Sequence, residues 1–138
     1  MNSRSILGAA CAAVAITVAL PAAAQDHGET VTPHFEHAIP NIPGKSLVAF
    51  VVDYAPGGAS PAHVHSKSGF VFAYVVSGAI ESQVNDGPKR VYHAGESWYE
   101  DPGSSHNVSR NASATEPAKL LAVFVADTGD KALTTYAK

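Results

Sequence analysis

Gly57–Gly78 reads GGASPAHVHSKSGFVFAYVVSG, and its interpretation decides the fold. A glycine turn leads into His63-Val64-His65; an apolar run, Phe70–Val76, follows and is closed by Ser77-Gly78. Successive side chains of an extended strand point to opposite faces, so His63 and His65 share one face while Val64 takes the other. Two imidazoles on one face of a strand make half a metal site. The remaining donor must come from elsewhere in the chain, and His106, in EDPGSSHNVS, is the candidate.

Outward from this stretch, short β-like runs alternate with turn signals. Ser46–Ala55 is rich in β-branched and apolar residues and ends at Pro56-Gly57-Gly58. Phe70–Val76 reads as a buried strand. Ala79–Val84 alternates before the turn Asn85-Asp86-Gly87-Pro88. Arg90–His93, Ser97–Glu100, His106–Arg110 and Lys119–Ala126 complete the series, with Asp101-Pro102-Gly103 as another turn. No segment carries a helical period. About eight strands at spacings near ten residues predict an all-β sandwich or barrel.

The flanks read differently. Residues 1–24 carry Arg4, an apolar stretch from Ile6 to Leu20 and an Ala-rich end, the pattern of a secretory signal peptide cleaved between Ala24 and Gln25. The apolar stretch is short of the roughly 20 residues that span a bilayer, so no stable membrane insertion is expected after cleavage. The expected location is the periplasm or the medium. Cys11 is the only cysteine and falls in this leader, which leaves the mature chain without a disulfide or a thiolate ligand. Residues 25–44 read as an extended N-terminal arm with an edge strand near Phe35–Ile39; its histidines, His27, His34 and His37, read as solvated. Residues 45–127 form the barrel and 128–138 a loose tail. With nine basic and twelve acidic residues and no basic run, nucleic acid is an unsuitable partner.

The chain resembles a small single-domain cupin. Gly57, the five residues that follow, His63-Val64-His65 and Gly78 fit the first cupin motif; Gly95, Pro102-Gly103, His106 and Asn111 approximate the second. The resemblance implies a jelly-roll, or double-stranded β-helix, barrel of about eight strands and a homodimer. It also implies one divalent transition metal held by His63, His65 and His106, with Fe, Mn, Cu, Ni and Zn not distinguished by this ligand set. The motif's glutamate is missing: its place falls at Gly69, Phe70 or Val71. Glu81, Gln83 and Glu100 are the candidates to replace it as ligand or general base. Phe70, Phe72, Tyr74, Trp98, Tyr99 and Phe124 recur at strand spacing, and at least one is expected to line an apolar cavity suited to a small aromatic or carbonyl-bearing ligand. Three readings are consistent with these features: a metal-dependent oxygenase of a small organic substrate, a non-catalytic module that binds a small molecule or metal, or an oligomerising structural barrel whose metal site has decayed.

Overall fold

The computed structural model describes residues 26–137, so the expected signal peptide lies outside the described residues. Among the described residues, eleven strands form two antiparallel sheets. The first contains β1 (Glu29–Ala38), β2 (Lys45–Tyr54), β10 (Ala118–Asp127), β5 (Phe70–Ser77) and β8 (Ser97–Glu100), in that spatial order. The second runs β11 (Thr134–Tyr136), β4 (His63–His65), β9 (Ser105–Asn111), β6 (Ala79–Val84), β7 (Arg90–His93), and β3 (Ala59–Ser60) also pairs with β9. This is the all-β jelly roll expected from the turn-punctuated pattern. The arm strand β1 and two very short strands, β3 and β11, bring the expected eight to eleven.

Period-two burial holds the sheets together. In β5 the buried positions are Val71, Ala73 and Val75, and in β6 they are Ile80 and Ser82. With Val52, Tyr54, Trp98, Ala118 and Leu120 they fill the space between the sheets. Phe70–Val76 is therefore not buried on both faces as its continuous apolar character predicts. Phe70, Phe72, Tyr74 and Val76 stand on the outer face and are 37–46% exposed. An apolar run alone does not reveal whether both faces of its sheet are covered.

The two flanking segments are more ordered than their composition suggests. The arm contributes ten-residue β1, paired with β2 from Glu29↔Tyr54 to Ala38↔Ser46, with a bulge between Pro33 and Phe35. Proline is tolerated there because β1 is an edge strand. The C-terminal segment adds β11, which pairs with β4 so that Thr134 faces His65 and Tyr136 faces His63.

Gly78 turns β5 into β6 at φ +72°, and a Cβ there would meet the Pro117 carbonyl oxygen at 2.7 Å and Ala118 Cβ at 2.8 Å. The left-handed backbone and the backbone clash act together. Gly78→Ala is expected to destabilise the protein by roughly 2 kcal/mol or more. Chemical denaturation checks this; an unchanged midpoint would contradict it.

Candidate metal centre

Three strands deliver the site. β4 presents His63 and His65 on its buried face, with Val64 outward and 45% exposed. β9 pairs with β4 so that His63 and His106 are direct cross-strand neighbours. The turn between β8 and β9 fixes their approach: His65 N–H donates to the Ser104 carbonyl at 2.9 Å, and Gly103 N–H to the Ser66 carbonyl at 3.1 Å. The result is a cluster in which one nitrogen from each of His63, His65 and His106 lies within 4.8 Å of the others.

Each ring is held from behind. His63 Nδ1 lies 2.8 Å from the Pro61 carbonyl, which can only accept, so Nδ1 carries the proton and Nε2 keeps its lone pair. Ser82 Oγ is 2.9 Å from His106 Nε2, and Thr134 Oγ1 is 3.3 Å from His65 Nδ1. Outer hydrogen bonds of this kind fix ring orientation at metal centres. Ser82, Thr134 and Tyr136, whose ring packs edge-on to His63 at 5.8 Å, are the participants that sequence reading missed. The alternation of β6 offered a signal for Ser82. For the other two the only signal was the β-favouring triplet Thr134-Thr135-Tyr136.

The three acidic or amide candidates go to different places. Glu81 pairs with Arg110, its Oε2 accepting from Nη2 at 2.7 Å, and Gln83 donates to the Gly87 carbonyl at 2.9 Å. Both alternate with Ile80 and Ser82, which occupy the inward face of β6, so the structure does not bring Glu81 or Gln83 to the histidines. Glu100 is brought to them. It is 2% exposed and sits opposite Val71, one of the positions where the motif glutamate was expected. Its Oε1 accepts from the Trp98 indole at 3.1 Å and lies 3.3 Å from His106 Nδ1; its Oε2 lies 3.1 Å from His65 Nε2. Asn111, the second-motif asparagine, is a structural brace: its amide nitrogen donates to the carbonyls of Ala55 and Glu116.

Electrostatics favour the metal-binding protonation states. Burial lowers the pKa of His63, and lowers that of His106 to about 4. For Glu100, burial pushes the carboxyl up, but the adjoining His65 and His106 more than offset it, and the pKa falls below the ordinary carboxylate value. Neutral imidazole and ionised carboxylate are the forms that ligate. The same shifts set a pH dependence. Between pH 6.5 and 4 the unfolded His106 takes a proton that the folded one refuses, so metal-free stability falls as pH drops. Glu100 acts in the same direction, because its contribution is lost as pH falls through its lowered folded pKa. The expected loss from His106 alone is roughly 3 kcal/mol. Melting curves of chelator-treated protein from pH 7 to pH 4 check it, and a flat profile would contradict it.

The donor set fits a transition metal. Three imidazole nitrogens converge, their outer atoms are occupied, and the buried Glu100 Oε2 beside them lacks a hydrogen-bond partner. A cavity of about 340 Å³ opens onto His63 and His65, with Val48, Phe50, Val52 and Phe124 among its apolar walls and Tyr136 also lining it. The aromatic lining is thus supplied by Phe50, Phe124 and Tyr136, while Phe70, Phe72 and Tyr74 face outward. Lys131 is the only basic side chain among the described lining residues, apart from the histidines; it lies 3.9 Å from Glu36.

An antiparallel jelly roll carrying a buried three-histidine cluster defines the class. The chain belongs to the cupin family: the family model described as a cupin domain matches residues 50–124. No curated protein matched the chain. Among solved structures it is similar to a double-stranded β-helix domain protein from Klebsiella pneumoniae, at 21% identity and TM-score 0.63, over 83% of this chain and 88% of that one. It is similar to recombinant oxalate oxidase in complex with glycolate at 22% identity and TM-score 0.62, over 81% of this chain but 56% of that one. It therefore spans just over half the length of that protein. A third similarity is to the cupin domain of an XRE family transcriptional regulator from Enterobacter cloacae, at 21% identity and TM-score 0.56, over 70% and 95%. These likenesses show a shared fold.

Proposed function

We propose that this protein is an exported, metal-dependent cupin that acts on a small, largely apolar organic molecule, most simply as an oxygenase. The convergence of His63, His65 and His106 beside an apolar cavity that opens onto His63 and His65 is the observation that carries this reading. A bound iron or copper would supply oxygen chemistry or polarise a carbonyl at a coordination position left open by the protein. The residues around it have definite tasks. His63, His65 and His106 hold the ion; Pro61, Thr134 and Ser82 hold their rings. Phe50, Phe124 and the valines exclude water and take up an aromatic or aliphatic body. With Lys131 next to Glu36, the cavity offers little to a free dianion and more to an uncharged ligand carrying a carbonyl or hydroxyl.

Oxygen uptake measured against a panel of diketones, flavonols and thiols tests the oxygenase assignment. Uptake that follows iron or copper loading supports it. A fully loaded protein that turns over none of the panel contradicts it. The second reading, a binding module without turnover, draws support from the fold shared with a regulator's cupin domain. It predicts a small molecule that stays bound through purification and is recovered unchanged. A homodimer is the partner state we propose, with the outward Phe70, Phe72, Tyr74 and Val76 as the surface available to a second copy.

A further inference from the structure

Glu100 poses a problem that the three-histidine site does not solve. A carboxylate this deeply buried requires a cation, a full set of donors or a proton. Trp98 satisfies Oε1. Oε2 has no hydrogen-bond partner, and the ring nitrogen beside it is His65 Nε2, at 3.1 Å. Among the described residues no lysine or arginine forms an ion pair with Glu100. Its charged-group neighbours are two of the three clustered imidazoles, which are the groups that would surround an ion.

We propose that Glu100 is the fourth protein ligand of the metal, binding through Oε2 from β8, an inference that rests on the three-histidine reading. The arrangement explains each feature of the side chain. Trp98 fixes Oε1, which leaves Oε2 as the atom free to coordinate. A divalent ion held by three neutral imidazoles would keep its full charge beside apolar walls. A carboxylate ligand removes half of that charge, and the ion in turn compensates the buried anion. Mixed nitrogen and oxygen donors also move the preference away from copper(I) and toward iron(II) or manganese(II).

The register of the first sheet provides a test of position as well as identity. Val71 lies opposite Glu100, and both are buried on the same face. Directly opposed side chains leave the sheet about 5 Å apart. A carboxylate transferred from position 100 to position 71 therefore enters nearly the same space.

Cobalt(II) and manganese(II) titrations of the wild type, E100Q, E100V and V71E/E100V decide the matter, with the cobalt(II) visible spectrum and circular dichroism recorded in parallel. E100Q is expected to weaken binding about tenfold or more and to shift the cobalt(II) bands. V71E/E100V is expected to recover affinity over E100V. A folded E100Q with wild-type affinity and an unchanged spectrum overturns the proposal while leaving the three-histidine reading intact. If E100Q does not fold, the transferred carboxylate decides: V71E/E100V binding no better than E100V overturns it. A wild type that binds neither ion overturns both.

Discussion

His106→Ala is expected to lower metal affinity by about a hundredfold or more, because losses of that order already follow from disturbing groups that only orient a ligand. His106 comes from β9, on the far side of a long connection from β4, and its nitrogen completes the cluster with His63 and His65. Removing it leaves two imidazoles on one strand with the Glu100 carboxylate beside them, a set that holds a divalent ion more weakly than one with the third imidazole. His93→Ala provides the control: His93 lies on exposed β7 and, among the described acidic side chains, contacts only Glu96, so its loss should leave metal content unchanged. Metal analysis after dialysis at equal protein concentration separates the outcomes. Equal metal in both variants would place the ion elsewhere.

Metal loading should also raise the melting temperature strongly. An ion that binds only the folded chain stabilises it by about 4 kcal/mol when present at a thousand times its dissociation constant. For a domain of this size that corresponds to an increase of roughly 15 °C. The gain has a specific source, since the metal-free site confines Glu100 beside His106, whose pKa burial has lowered. Scanning calorimetry with and without a chelator measures the shift. Superimposed traces would show that the cluster does not bind metal.

Much of this site was legible before the fold was known, and the parts that were not have physical reasons. His63-Val64-His65 announces its own geometry, because a period of two is all that is needed to put both rings on one face. Glycine and proline punctuation at Gly57-Gly58, Asn85–Gly87 and Pro102-Gly103 separates the strands, and Asn85 does adopt positive φ, at 50°. The pairing of His63 with His106 was not written locally; it depends on which strands meet across the sheet. The choice among Glu81, Gln83 and Glu100 turned on facing. In β6 the apolar and small residues, Ile80 and Ser82, mark the inward side and exclude the two residues between them. In β8 the large apolar Trp98 marks the inward side two residues before Glu100, so the same rule points Glu100 inward. β11, and the part of β1 before the edge strand read near Phe35–Ile39, escaped notice because their pairing partners, rather than their own composition, make them strands.

The most direct test is X-ray absorption at the metal edge of the protein purified with its own ion. Coordination of a single ion by three imidazole nitrogens, lost in His63→Ala and in His106→Ala alike, is the predicted result. An ion with fewer than three imidazoles, or one whose spectrum neither substitution changes, would contradict a metal centre built on His63, His65 and His106.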